Sequence, residues 1–195
     1  MNRRKFLVAP LAALLLPGCS QEVSQNSLFA QYLTDVVKED PPPKKAIVVV
    51  HPGTKPLDAF FRWREPAQLQ EDLPEIQLST AAALLKAGAA DAQPILLSRA
   101  QLPDLVEIIH ATESQLNKLD SEDSTPGFWN LFYRTFPDST GLMGFSNVGF
   151  NASKDQAAFV VSHACGGLCG SGRLVLMSRR GSLWHTEKTK RLWSS

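Results

Sequence analysis

The sequence has few cysteines, little net charge and no long apolar run. Three cysteines occur in 195 residues, and 20 basic side chains against 19 acidic ones leave a formal net charge of +1. The main apolar run, residues 6–16, would cover about 16 Å as a helix, roughly half of a bilayer's hydrocarbon core. The charge balance excludes nucleic-acid binding by an overall basic surface, and the run is too short for a permanent membrane span.

Motifs of common catalytic and cofactor sites are also missing. No Gly-Lys-Ser or Gly-Lys-Thr ending of a phosphate loop occurs, no Gly-x-Ser-x-Gly turn presents a nucleophilic serine, and no carboxylate pair stands in a recognisable catalytic motif. The sequence therefore predicts no cofactor, and it indicates no catalytic residue. An enzyme stays open as an alternative, because catalytic triads are assembled in space rather than in sequence.

The N-terminal segment has the order of a secretory signal: a basic start, an apolar core and a small-residue cleavage site. A basic cluster, RRK, precedes the apolar run, and Gly18 and Cys19 follow it. The stretch LLPGC that ends at Cys19 resembles the lipobox of bacterial lipoproteins, whose cysteine is alkylated with diacylglycerol and becomes the new N-terminus. This resemblance implies a signal peptide over residues 1–18 and a lipid on Cys19.

Two export routes fit this leader. The segment RRKFL resembles a twin-arginine motif, which serves proteins that cross the membrane already folded, and an ordinary secretory leader with two arginines fits equally well. Ser20 follows the lipidation site. In Gram-negative lipoproteins a residue other than aspartate at that position implies delivery to the outer membrane. The expected location is therefore the outer membrane, with the soluble domain facing the periplasm.

Removal of the leader changes the charge balance of what remains. Residues 1–18 contain three of the 20 basic side chains and none of the 19 acidic ones, which leaves 17 basic side chains and a formal charge of −2. This balance gives no global electrostatic argument for nucleic acid as a partner. The expected partners are the membrane, through the lipid on Cys19, and an envelope protein or peptidoglycan.

Assigning Cys19 to the lipid leaves Cys165 and Cys169 as a close pair. In an oxidising compartment a disulfide between them is the default expectation, and its short loop contributes only about 2 kcal/mol in the chain-entropy model. Its predicted task is to fix a local turn. Thiol redox chemistry and a zinc site shared with His163 stay open as alternatives. The histidines that would complete such a zinc site are His51, His110 or His185.

Residues 163–172, HACGGLCGSG, form the most unusual segment of the chain. Its glycines indicate a backbone that adopts positive φ or lies close to another group. The favoured interpretation is a hairpin loop pinned by the disulfide, and a nest of exposed N–H groups that binds an anion needs the same glycines. A hydrolase built on His163 with Ser162 or Ser171 is a further alternative. The candidate binding residues of this loop are His163, Gly166, Gly167, Gly170, Ser171 and Gly172.

The order of predicted elements indicates an α+β fold in which helices pack on an antiparallel sheet. A tether and a short amphipathic helix capped by Ser27 occupy residues 19–45, and a single globular domain covers residues 46–195. The β-branched run Ala46–Val50 predicts a buried strand.

Further elements are predicted along the first half of the domain. Thr54 and Pro56 predict a helix start, and a second helix is expected over residues 81–86. Residues 94–97 predict a short strand. Apolar side chains at spacings of three and four predict a helix over residues 103–119.

The second half of the domain has an aromatic helix followed by strands. Thr125 and Pro126 predict the helix start, and the five aromatic side chains of residues 128–136 share one broad face, which favours core packing over a ligand groove. Strands are predicted at residues 142–150, 156–164, 173–179 and 183–192. Their short connections predict antiparallel pairing, hence a four-stranded meander with the aromatic helix across one face.

Four segments of the last third stand out together. They are FWNLFYRTF at residues 128–136, GFSNVGFN at 144–151, CGGLCGSG at 165–172 and a C-terminal strand with tryptophan. In these segments the chain resembles a family of uncharacterised bacterial exported proteins and lipoproteins. Asn147 stands where this resemblance leads us to expect a basic residue. The resemblance implies an exported domain and no particular reaction.

Together these patterns predict a lipid-anchored envelope protein without enzymatic activity, whose domain binds a protein, peptidoglycan or another envelope component. The alternative is a periplasmic enzyme, either a hydrolase or a thiol-dependent one, that uses His163 or Cys165.

The Cys19→Ser variant should leave the membrane fraction, because acyl chains on the sulfur are expected to hold the mature chain at the bilayer. Cell fractionation and mass spectrometry of the N-terminus measure this, with Cys169→Ser as a control that keeps the lipid. Retention of Cys19→Ser in the membrane fraction, or a native N-terminus without acyl chains, would contradict the prediction.

Overall fold

The computed structural model describes residues 24–55, 63–120 and 127–195. The predicted signal peptide and Cys19 lie outside these residues. So do the helix starts predicted at Pro56 and at Thr125 and Pro126.

The described residues form five α-helices, seven β-strands and a short 3₁₀ helix at Arg99–Gln101. The helices are α1 Gln25–Glu39, α2 Pro66–Asp72, α3 Leu78–Gly88, α4 Glu113–Leu119 and α5 Phe128–Thr135. The strands are β1 Ala46–Val50, β2 Val106–His110, β3 Ser139–Phe145, β4 Gly149–Phe150, β5 Gln156–Gly166, β6 Cys169–Arg180 and β7 Leu183–Ser194.

All seven strands belong to one mixed sheet. The strand order is β2-β1-β3-β5-β6-β7, and β4 pairs with β5 beside β3. The strand β1 is parallel to β2 and β3, whereas the pairs from β3 to β7 are antiparallel. The α+β prediction is therefore confirmed, and the prediction of an exact four-stranded meander is not, because the sheet is larger.

The first strand of the predicted meander is divided in two. Between β3 and β4, the Ser146 hydroxyl accepts a hydrogen bond from the Val160 amide over 2.9 Å and donates one to the Asn147 carbonyl over 3.0 Å. A side chain thus takes the place of a backbone partner, which interrupts the ladder with β5. The alternation of apolar residues in the sequence gives no sign that a side chain replaces a backbone partner here.

The helix predicted over residues 103–119 is wrong in its first half. Val106–His110 is strand β2, paired in parallel with β1, and only Glu113–Leu119 is helical. Thr112 caps α4 by accepting a hydrogen bond from the Gln115 amide, and the Gln115 side chain accepts one from the Thr112 amide in return. The apolar spacing fits either structure, and hydrogen bonds to a distant strand decide between them.

Residues 94–97 do not form the predicted strand. Pro94 makes an isolated bridge to Gly53, and the Ile95 amide donates to the Pro52 carbonyl over 3.0 Å. Ile95 and Leu97 are buried and Leu96 is exposed, so the alternation is that of a strand. No ladder of strand hydrogen bonds forms, because Pro94 has no N–H group to donate to it.

Helix α1 covers one face of the sheet. Ser24, rather than the predicted Ser27, caps it by accepting a hydrogen bond from the Ser27 amide. The Phe29 ring stacks on Phe145 with centroids 4.3 Å apart and meets the edge of Phe159 at 5.1 Å. The helix that the sequence grouped with the tether therefore contributes to the main core.

The other four helices pack on the opposite face. Successive residues of β5 and β6 alternate between the two faces, with Phe159 and Val175 toward α1 and Val160 and Leu174 toward α2 and α3. Helices α4 and α5 cover β1 and its neighbours, where Val49 and Phe132 are buried together. The aromatic helix therefore lies at one end of the sheet rather than across the predicted meander.

Gly149→Ala should destabilise the fold by about 3 kcal/mol or more, because a Cβ there would collide with the backbone of Leu84 and Ala83 in α3. Gly167→Ala is the matched control, since a Cβ there meets nothing within 4 Å, and it should change stability by less than about 0.5 kcal/mol. Urea unfolding measures both. Equal unfolding midpoints for the two variants would contradict this packing.

Candidate functional site

A groove of about 450 Å³ lies between α1 and the strands β3, β5, β6 and β7, and we call it the α1–sheet groove. Residues from the α1 segment form one wall, and residues from the four strands form the floor and the other wall. From the α1 segment these are Tyr32, Asp35, Val36, Glu39 and Asp40. From the strands they are Met143, Val161, His163, Ser171, Arg173, Thr186 and Thr189.

Asp35 fixes the position of α1 against the edge of the sheet. One carboxylate oxygen, Oδ2, accepts a hydrogen bond from the Thr186 amide over 2.7 Å, and Oδ1 accepts one from the Gln31 side chain over 2.7 Å. Glu39 and Asp40 follow at the end of the helix, where they are exposed. The helix thus brings two further carboxylates to the groove while Asp35 holds it in place.

His163 and Ser171 face each other across β5 and β6 on the groove floor. The Nε2 atom of His163 lies 3.0 Å from the Thr140 carbonyl. Because a carbonyl only accepts, Nε2 carries the proton and Nδ1 is left as an acceptor in the neutral ring. Burial lowers the pKa of His163, an effect that the hydrogen bond to Thr140 opposes in part, so the neutral ring is favoured at pH 7.

Gly141 makes room for His163 beside β3. Its φ of +130° lies in the region that favours glycine, and a Cβ there would collide with the Ala164 carbonyl oxygen and lie 3.0 Å from the His163 Nε2 atom. A residue with a side chain at this position would push the imidazole away from Thr140.

Tyr32 and Arg173 bring unused hydrogen-bonding capacity to the groove. Tyr32 is 5% exposed, and its hydroxyl makes no hydrogen bond to any described residue. Burial raises the pKa of Tyr32, and the nearby Arg173 guanidinium offsets part of that rise. Arg173 is half-buried and forms no ion pair within the described part of the chain. The Thr186 hydroxyl oxygen is fully buried and has no partner among the described residues.

The disulfide predicted between Cys165 and Cys169 is present at the tip of the β5–β6 hairpin, with the two Cα atoms 5.0 Å apart. Gly167 and Leu168 form the turn, and Leu168 is 89% exposed. The Tyr133 hydroxyl of α5 donates to the Cys165 carbonyl over 2.9 Å. The bridge therefore closes a hairpin turn that is also tied to the aromatic helix.

The glycines after the disulfide make room for a tryptophan. A Cβ on Gly172 would collide with the Trp193 indole, and one on Gly170 would lie 3.1 Å from it. Among the described glycines, positive φ occurs at residues 127, 141 and 181 and at none of those in the loop. The close approach predicted for these glycines is therefore to Trp193, and the left-handed backbone of an anion-binding nest is not formed.

The structure thus divides the candidate binding loop into three parts. His163 and Ser171 lie in the α1–sheet groove, Gly166 and Gly167 lie at the hairpin tip, and Gly170 and Gly172 lie under Trp193. Alternation along β6 places the two glycines on the sheet face opposite to the groove.

The predicted alternative of a zinc site lacks thiolate ligands, because the sulfurs of Cys165 and Cys169 are bonded to each other. His51 and His110 contact backbone carbonyls of Gly53 and Leu97, at 2.9 and 3.1 Å. Across the described ranges, no group of three or more His, Cys, Asp and Glu side chains is arranged to hold a metal ion.

Sequence reasoning missed the residues that make up most of the groove. In the sequence, Arg173 has the pattern of a solvated charge at a strand end, and Tyr32 that of one member of an apolar helical stripe. The acidic end of α1 was grouped with a tether. The available signal was Tyr32 itself, because a tyrosine on the buried stripe of a helix brings a hydroxyl that needs a partner or access to solvent.

Comparison of the chain with protein-family models, with curated proteins and with solved structures found no match in any of the three. In the part of the chain that the structure describes, no helix has the length and hydropathy needed to cross a membrane.

Replacing Cys165 and Cys169 by serine should lower the free energy of unfolding by about 2 kcal/mol, because the bridge closes a very short loop. Denaturant unfolding of the double variant against the parent measures this. A companion assay titrates thiols under denaturing, non-reducing conditions, where neither cysteine should react. Two reactive thiols at these positions would contradict the assignment.

The fold should lose stability in mild acid partly through His163. Its pKa is lowered in the fold, so below about pH 6.5 the unfolded chain takes up a proton that the folded chain resists, and stability falls until the pH passes the folded pKa. In the His163→Gln variant, the free energy of unfolding should fall less steeply as the pH is lowered from 7 into mild acid. The substitution should not abolish that dependence, because burial also lowers the pKa of His51. An unchanged slope would contradict this assignment.

Proposed function

We propose that this chain is a bacterial envelope lipoprotein, anchored through a lipid on Cys19 at the outer membrane, whose periplasmic domain binds an envelope ligand in the α1–sheet groove without catalysing a reaction. The anchoring part rests on the leader and its lipobox-like ending. The binding part rests on the unpartnered polar groups of Tyr32 and Arg173, which line one groove.

The disulfide supports export. Structural disulfides persist in oxidising compartments and are rare where the thiol pool is reduced. With Cys165 and Cys169 paired, Cys19 is the one cysteine of the sequence left for a lipid. The cysteine count and the leader therefore support the same location.

The groove supports binding. The groove contains polar side chains without a partner: Tyr32, which is 5% exposed as a residue, and the half-buried Arg173 make no hydrogen bond or ion pair to any described residue, whereas most buried polar groups in folded proteins have a partner. A volume of about 450 Å³ is in the range of sites for small ligands. A bound ligand would supply the missing partners.

The enzymatic alternative has less support from the geometry. A thiol-dependent reaction at Cys165 requires a free sulfur, which the disulfide removes. A serine hydrolase requires a base in contact with its nucleophile, and the described structure has no hydrogen bond between the His163 ring and the hydroxyl of Ser162 or Ser171. The arrangement favours His163 as a binding or structural residue.

Photo-crosslinking in intact cells tests the proposed binding. A photoreactive residue at Val36, which lines the groove and is 38% exposed, should give specific adducts. The same residue at Leu96, which is 69% exposed and lies outside the groove, should give none. Because Leu96 is more exposed than Val36, nonspecific crosslinking by random collision would be more frequent at Leu96.

The adducts also distinguish the expected partners. Digestion with a muramidase should collapse an adduct with peptidoglycan and leave an adduct with a protein intact. Equal labelling at Val36 and Leu96, or no adduct at Val36, would contradict the proposal that the groove is a binding site.

A further inference from the structure

We infer that the α1–sheet groove takes a zwitterionic ligand, an amino acid or the end of a short peptide, with its carboxylate at Arg173 and Tyr32 and its cationic group at Glu39 and Asp40. This inference rests on the proposed function, since it specifies the chemical class of the ligand bound in the same groove.

The inner part of the groove offers hydrogen-bond donors. The Arg173 guanidinium can only donate, and it forms no ion pair within the described part of the chain. The Tyr32 hydroxyl can donate as well, and it has no partner among the described residues. A group that accepts from both is an oxyanion, and the planar guanidinium matches a carboxylate through two parallel hydrogen bonds.

The charge of the groove selects among oxyanions. Three carboxylates and one guanidinium line it, and the imidazole of His163 is neutral there, so its formal charge is −2. A dianionic phosphate would meet net repulsion. A ligand that adds its own positive charge to a single carboxylate would be attracted at both ends.

The outer part of the groove offers the matching acceptors. Both oxygens of Asp35 already accept hydrogen bonds from Gln31 and Thr186. The carboxylates of Glu39 and Asp40 make no hydrogen bond or ion pair in the described ranges, and both line the groove. They are the groups free to receive an ammonium group.

The size of the groove agrees with a short ligand. Its volume of about 450 Å³ is that of roughly fifteen water molecules in the liquid. Such a space accommodates an amino acid or a dipeptide and leaves the rest of a longer chain in solvent. Val36, Met143 and Val161 give it an apolar component for a small side chain.

Isothermal titration calorimetry on the full chain isolated from cells tests this class of ligand. The probes are dialanine, dialanine amide, N-acetyl-dialanine and inorganic phosphate. Dialanine should bind, and blocking either its carboxylate or its amino group should weaken binding at least about tenfold. Phosphate should bind more weakly than dialanine.

Variants assign the two ends. Arg173→Gln should weaken dialanine binding about tenfold or more, and Tyr32→Phe, which keeps the buried ring and removes one oxygen, should weaken it by a smaller factor. Arg180→Gln is the matched control, because Arg180 lies on the same strand, is exposed and does not line the groove. Glu39→Gln should reduce the preference for dialanine over N-acetyl-dialanine and leave the affinity for N-acetyl-dialanine unchanged or higher.

The outcomes separate this inference from the proposed function. Equal affinity for free and blocked dipeptides, tighter binding of phosphate, or no binding of any dipeptide would overturn the zwitterion assignment. Specific crosslinking at Val36 would then still support a binding groove. Unchanged affinity in both Arg173→Gln and Tyr32→Phe would also overturn it, and Tyr32→Phe keeps the test valid if Arg173→Gln fails to fold.

Discussion

The packing of α1 on the sheet is the interaction on which the rest of this structure depends. The side chain of Phe29 is fully buried between Phe145 and Phe159. Helix α1 is thereby joined to two strands, β3 and β5, that lie far from it in the sequence. Burial of a large aromatic side chain contributes about 1.5–3 kcal/mol, and the ring contacts add to this. The Asp35 carboxylate then fixes the helix against β7 through the Thr186 amide.

The same contact creates the candidate site. Helix α1 supplies Tyr32 and the acidic wall, while β5 and β6 supply His163 and Arg173, so neither half has a groove without the other. The proposed lipid anchor and the proposed binding groove are close in sequence, because α1 begins soon after Cys19. A ligand in the groove would therefore contact a helix that only a few residues separate from the proposed membrane anchor.

The parts of the fold with local signals could be predicted, and those that depend on distant partners could not. The β-branched run of β1 and the cysteine hairpin have local signatures, and both are present. The sequence predicts helix for β2 because its apolar spacing fits both structures and its partner lies about sixty residues earlier in the sequence. Arg173 had no signal of its own, because a charged residue in a strand is usually solvated and only the position of α1 makes its surroundings a groove.

Hydrogen–deuterium exchange of the full chain, read by mass spectrometry, tests the central claim most directly. If α1 is part of the core, amides of residues 28–39 exchange as slowly as those of β5 and β6, because all of them open only when the domain unfolds. Exchange of α1 orders of magnitude faster than the sheet would mean that the helix is not docked. In that case the α1–sheet groove would not exist as described.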